Sequence, residues 1–164
     1  HVVAQLEGGM AASVVRCRRL RGFPYELVVV SCHLDWGEAG TAQGRGIMKL
    51  VSGSRNSRGA VIWCGDFNKT PSDPLFEEAR ARGFGDALDF RPELISCACG
   101  KMRRLDYVLF RGPVEPAIED LCPEGFSAGR SLSSGSALGR FADLPDLLRR
   151  TGSDHAPLAV ALCA

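Results

Sequence analysis

The chain has 164 residues, 45% of them hydrophobic, and a formal charge of +1. That length suits one domain and that apolar content fills a core, which excludes wholesale disorder. A charge so near zero excludes a global pull toward nucleic acid or membrane, so attraction to an anionic substrate must be local. No apolar run reaches the ~20 residues of a membrane span, and no signal peptide precedes the first strand. Cys17, Cys32 and Cys64, three of seven cysteines, sit in apolar runs, where the residue behaves as a small hydrophobe. They predict a reduced, intracellular protein that is not secreted. Cys97-Ala-Cys99 is too closely spaced for a usual zinc pair.

Residues 10–20 pass into alternation, Val15 and Cys17 against Arg16 and Arg18, as in a half-exposed strand. Arg21-Gly-Phe-Pro24 is a turn. Tyr25 to Ser31 follows as a strand whose run Leu27-Val-Val-Val30 predicts burial on both faces. The two strands most simply form a hairpin, and the second ends in Cys32-His-Leu-Asp-Trp36. A flexible passage from Gly37 to Gly46 leads into a helix over roughly 41–55, with Ile47, Leu50 and Val51 inward. Gly44, Gly46 and Gly53 weaken that helix. Arg45 and Lys49 lie one turn apart, either as a solvated face or as phosphate contacts.

Ala60 to Gly65 reads as a buried strand ending in Gly65-Asp-Phe-Asn68. Side chains two apart share a face, so Asp66 and Asn68 project together from the strand end. Asp73 as N-cap and Pro74 at the first helical position open a helix. It carries Leu75, Phe76 and Ala79 inward and ends near Gly83. Residues 85–100 are irregular. Arg103 to Phe110 is a strand whose apolar pattern Asp106 interrupts, and an acid there needs a partner. Residues 112–125 form a Pro-rich loop, 127–139 a Ser/Gly-rich loop, 143–150 a short helix and 156–161 a last strand, after Gly152-Ser-Asp-His155.

Polar residues thus stand at four strand ends: His33, Asp66 with Asn68, Asp106, and Asp154 with His155. In this order, H-L at 33–34, G-D-F-N at 65–68, L-D-Y-V at 105–108 and S-D-H at 153–155 resemble the endonuclease/exonuclease/phosphatase family of metal-dependent phosphoester hydrolases. The likeness runs from about residue 10 to the C-terminus.

The resemblance implies an α/β (α+β) fold like that of DNase I, a two-layer β-sandwich flanked by helices. It implies one domain over 1–164 that lacks its N-terminal half, since the family's chains are longer. The family's early Asn and its main metal-ligand Glu have no counterpart here, Glu7 being too close to His33 for that role. The likeness implies Mg²⁺, with Mn²⁺ as the alternative, and Asp154 as a metal contact. Asp66 would orient or deprotonate the attacking water and Asn68 would hold a phosphoryl oxygen. His155, held by Asp106, would bind the developing charge, with His33 on the other side of the phosphate.

His33-Leu-Asp-Trp36, Gln43 and Gly65-Asp-Phe-Asn-Lys-Thr-Pro71 look most like the deadenylase and 3′-exonuclease branch. That implies a nuclease acting on RNA in preference to DNA, with Trp36 or Phe67 stacking on bases. No membrane and no obligate protein partner are expected. Two alternatives stay open: a phosphoesterase on inositol polyphosphate or sphingomyelin, and a truncated, catalytically inert domain.

Overall fold

In the computed structural model the described residues are 2–5, 11–17, 24–52, 59–89, 96–97, 103–116, 155 and 162–163. The elements are β1 (Val2–Gln5), β2 (Ala11–Cys17), β3 (Leu27–His33), α1 (Gly37–Ser52), β4 (Ala60–Asp66), α2 (Pro74–Ala81), β5 (Gly85–Asp86), β6 (Asp106–Arg111), β7 (Glu115–Pro116) and β8 (Leu162–Cys163). Six strands form one mixed sheet in the order β1-β2-β3-β4-β6-β5, and β7 pairs with β8 in a second, two-stranded sheet. The expected hairpin of β2 and β3 is present, with Val14 opposite Val30. β3 and β4 run parallel across the α1 crossover, whereas β6 returns antiparallel to β4.

One face of the sheet makes the core. Val28, Val30, Trp63, Tyr107 and Leu109 are buried there with Ile47, Met48 and Val51 of α1 and Leu75, Phe76 and Ala79 of α2. Trp63 is its centre: its ring lies 4.7 Å from that of Phe67 and 6.0 Å from that of Phe84, and its indole N–H donates to Cys32 Sγ over 3.0 Å. Such tilted and edge-on contacts stabilise aromatic clusters beyond the area they bury. β3 therefore differs from the expectation of burial on both faces. Val28, Val30 and Cys32 are buried, but Leu27 and Val29 are half-buried and Ser31 and His33 exposed. The alternation arises because, among the described residues, α1 and α2 cover one face of the sheet.

α1 begins at Gly37, with no flexible passage to Gly46, and residues 53–55 of the expected helix lie outside the described region. Gly44 belongs to the packing of this helix. A Cβ there would come within 2.7 Å of both terminal methyls of Leu75, so glycine lets α1 approach α2. Leu50 is 38% exposed and Met48 takes the inward place expected of it. Arg45 forms a bidentate pair with Glu78 of α2, so its charge is already matched; Lys49 is exposed.

α2 starts as its sequence predicts, Asp73 Oδ1 accepting the Leu75 N–H at 2.9 Å with Pro74 in the first turn. β6 is shorter than expected and Asp106 is its first residue, so the acid opens the strand without interrupting it. β7 lies within the expected Pro-rich loop. Cys17, Cys32 and Cys64 are free thiols, but Cys97 is disulfide-bonded, which corrects the expectation of a wholly reduced chain. The 127–139 loop, the 143–150 helix and the 156–161 strand lie outside the described residues. Among the described residues no helix is long and apolar enough to cross a membrane.

Candidate active site

The sheet register itself assembles the site. His33, last in β3, pairs with Asp66, last in β4, and Asp66 pairs with Asp106, first in β6. Three polar side chains thus stand side by side across adjacent strands, about 4.8 Å apart per strand step. Phe67 and Tyr107, next along the chain, go to the core. Gly65 permits the close approach: its φ is 135°, and a Cβ there would lie 1.9 Å from the Cys32 carbonyl oxygen.

His155 comes in from the far end of the chain and bridges by its backbone to Cys97, which in turn bridges to Arg103. Its Nδ1 lies 2.8 Å from Asp106 Oδ2, so the carboxylate fixes the ring. Nε2 then points toward Asp66, 3.6 Å from Oδ2, and His33 Nε2 approaches the same oxygen at 3.5 Å. Both gaps exceed hydrogen-bond length and leave Asp66 Oδ2 to be bridged. Burial pushes the Asp66 carboxyl above the usual carboxylate range and the Asp106 charge adds to the rise, while the Asn68 N–H and the two histidines oppose it.

Asn68 is 7% exposed and sits in the left-handed region at φ 49°. Its backbone N–H donates to Asp66 Oδ1 over 2.8 Å and its Nδ2 donates to the Leu34 carbonyl over 2.7 Å. It therefore orients the Asp66 carboxylate and ties the end of β4 to the loop after β3. The expectation that Phe67 stacks on bases is corrected: its ring is fully buried between Trp63, Phe76 and Tyr107 and has no face to offer. Trp36 is 52% exposed at the edge of the site. Asp154 lies outside the described residues.

Three residues have supporting roles that the sequence did not reveal. Ser96 Oγ accepts the N–H groups of Leu105 and Asp106 at 3.0 and 2.9 Å, holding the start of β6. Lys69 is buried and its ammonium donates to the Asp35 and Gly37 carbonyls. Arg104 is buried against Asp86, Nη2 reaching both carboxylate oxygens at 2.7 Å. Nothing in their sequence neighbourhood separates them from solvated serines, lysines and arginines.

A magnesium site calls for several oxygen ligands. Among the described residues no group of three or more His, Cys, Asp or Glu side chains could hold a metal ion. Asp106 is committed to His155 and the remaining neighbours of Asp66 are nitrogen donors. These side chains alone do not make a Mg²⁺ site.

The fold is shared with solved structures of low sequence identity. The human nocturnin catalytic domain with bound sulfate anion is similar at TM-score 0.59 and 14% identity, over 70% of this chain and 48% of that one. Truncated TDP2 from Caenorhabditis elegans gives 0.51 and 15%, over 71% and 55%. An endonuclease/exonuclease/phosphatase from Bacteroides vulgatus gives 0.51 and 16%, over 68% and 48%. The chain thus spans about half the length of these proteins. A comparison with curated protein sequences returned no match. The sequence model of the endonuclease/exonuclease/phosphatase family matches residues 8–155, which takes in G-D-F-N, L-D-Y-V and His155. On that match and that fold, the chain belongs to the endonuclease/exonuclease/phosphatase family.

Proposed function

We propose that the protein to which this chain belongs is a phosphodiester hydrolase acting on nucleic acid, RNA in preference to DNA, in the manner of a 3′-exonuclease or deadenylase. One observation carries the reading: Asp66 Oδ2 lies between His33 Nε2 at 3.5 Å and His155 Nε2 at 3.6 Å, with Asp106 locked onto the far side of His155. In-line displacement on phosphorus needs a base for the attacking water and positive or hydrogen-bonding groups around the developing charge. Asp66 takes the first role, its raised affinity for a proton suiting it to accept one from water. His155 takes the second, since a carboxylate on Nδ1 stabilises the ring when it carries charge and aims Nε2 at the phosphoryl group. The exposed His33 contacts the phosphate from the other side. Asn68 keeps Asp66 in place, and we assign the second hydrogen of its amide to a phosphoryl oxygen.

Mg²⁺, with Mn²⁺ as the alternative, is the cofactor we expect of the complete protein, with Asp154 among its contacts. The described residues need further carboxylates to bind it, so no step is routed through it. The sulfate in the nocturnin structure supports an anion-binding role for this fold, because sulfate shares phosphate's tetrahedral shape. Three free thiols support an intracellular setting, against which the Cys97 disulfide stands.

A second reading, a domain that binds but does not cleave, is favoured by the lack of a metal-ligand set among the described residues. One assay decides between them. The intact protein is offered poly(A), mixed RNA, DNA, inositol polyphosphate and sphingomyelin, with Mg²⁺ and with EDTA. Metal-dependent cleavage of RNA is expected. Turnover of the inositol or lipid substrate alone would overturn the nucleic-acid reading, and no turnover at all would leave the binding domain.

A further inference from the structure

The link between β3 and α1 is held far more firmly than a surface loop requires. The Leu34 N–H donates to the Asp66 carbonyl over 2.9 Å, and Asn68 Nδ2 donates to the Leu34 carbonyl over 2.7 Å. Buried Gln43 accepts the Asp35 N–H and donates to Asp35 Oδ2, both at 2.8 Å. The buried Lys69 ammonium bonds the carbonyls of Asp35 and Gly37, one on each side of residue 36. What this clamp presents is the indole of Trp36, 52% exposed. A large aromatic ring turned to solvent on a fixed backbone is organised in advance for a flat partner, because little freedom remains to be lost on binding.

The ring already has one planar neighbour. The Arg103 guanidinium lies over it with Cζ 5.8 Å from the ring centroid. Arg103 comes from the opposite wall of the site, bridged through Cys97 to the His155 backbone and three residues before Asp106. Trp36 stands three residues after His33. The pair thus joins the segment after β3 to the segment before β6, which flank β4 in the sheet. A guanidinium at 5.8 Å leaves too little room for a base between it and the ring, so a stacking base must displace it. An exposed cation–π contact is weak enough to yield.

We infer that Trp36 and Arg103 form a nucleobase subsite next to the reacting phosphate. The base stacks on the Trp36 indole, and the displaced Arg103 guanidinium turns to a phosphate of the same strand. The inference rests on the nucleic-acid reading above and assigns it a specificity element: unstacked bases bind here and a bare sugar–phosphate chain does not gain from it. Because stacking uses a base's π-face, the subsite tolerates any base.

The test uses the optics of the chain itself. Of its two tryptophans, Trp63 is wholly buried, so Trp36 alone can be quenched by a base from solvent. The full chain, with EDTA to stop cleavage, is titrated with an adenylate hexamer and with an abasic hexamer of equal charge, each carrying a fluorescent end label so that affinity is also read by anisotropy in every variant. The adenylate strand should quench tryptophan emission and bind about tenfold more tightly than the abasic strand, within the range for one stacked base. Trp36→Ala should abolish that tenfold preference, whereas Trp36→Phe should keep most of it. Arg103→Ala should weaken both strands and lower the slope of log affinity against log salt by about one. Equal binding of the two strands by the wild-type chain, or an unchanged preference in Trp36→Ala, would overturn the subsite while leaving the nucleic-acid reading standing. Failure of both strands to bind would overturn both.

Discussion

Asp106 Oδ2 and His155 Nδ1 meet at 2.8 Å although 49 residues separate them in the chain. A carboxylate so placed selects one ring orientation and directs Nε2 toward Asp66. Asp106→Asn keeps the shape but loses the charge. In the complete protein it should lower kcat/KM for phosphodiester cleavage by about 10²-fold, as for loss of a positioned catalytic group. His155→Ala should cost at least as much. Because the two act as a unit, Asp106→Asn combined with His155→Ala should be little worse than His155→Ala alone. Kinetics of the three variants check this; additive losses would separate the residues.

Asp66 sets chemistry against stability. Its folded-state pKa is raised, first by burial and then by Asp106. Just above the ordinary carboxylate range the folded chain holds a proton that the unfolded chain has released, so this group's contribution falls as pH rises through that window. At neutral pH its ionised form is a cost. Asp66→Asn keeps an oxygen for the Asn68 N–H while removing the charge. It should raise Tm at pH 7, lose that advantage at pH 3, and reduce cleavage by at least about 10²-fold. Calorimetry at the two pH values together with a rate assay tests both halves.

How far the sequence disclosed this site depends on the kind of information each residue needed. Asp66 at the end of β4 and Asp106 without a partner on its own strand were readable, because strand period and the cost of a buried acid are local facts. Asn68 does not project with Asp66 as expected, since β4 ends at Asp66 and the left-handed backbone of Asn68 turns its amide to the Leu34 carbonyl. The meeting of His33, Asp66, Asp106 and His155 followed only from the family resemblance, since register between strands is set by tertiary contact. Phe67 was misread because its alternation partner was unknown: the same period that sends Asp66 outward sends Phe67 to the core. Leu50 was misplaced by a related error: its i+3 spacing from Ile47 put it inward, whereas Met48 and Val51 fill that face of α1 and Leu50 lies at its edge. The supporting roles of Ser96, Lys69 and Arg104 left no trace, because their partners are backbone carbonyls, amides and a distant Asp86.

Gly44 offers a test of the helix pair. Replacing a helical glycine with alanine ordinarily stabilises by about 1 kcal/mol. Here the new methyl meets both terminal methyls of the wholly buried Leu75 at 2.7 Å. Overpacking of that kind costs about 1–3 kcal/mol. Gly44→Ala should therefore be destabilising in denaturant titrations. In a Leu75→Ala background the space is free, and the same change should become stabilising.

Cys32 should give the alkaline side of the stability curve its own signature. Its thiol is pushed up to about 12, mainly by burial, from an ordinary value near 9.0. Between those values the unfolded chain ionises and the folded chain does not, so stability is full below pH 9 and declines toward pH 12. At pH 8 the group should react with alkylating agents only through unfolding. Comparing wild type with Cys32→Ala between pH 8 and 11 should show a shallower decline in the variant. Equal slopes would assign the loss elsewhere.

Residues 33, 66 and 106 are laid side by side by ladder pairing of three neighbouring strands. Alignment therefore belongs to the main chain, which makes the chemistry indifferent to what joins the strands. Extra residues in the connections lengthen a tether at a slowly growing entropic cost. A single residue inserted within β3, β4 or β6 would turn its polar group into the core, and two would restore the face but carry it about 7 Å along the strand. Insertional scanning would accordingly divide the gene into permissive gaps and three short intolerant windows, with no need to alter any reacting side chain.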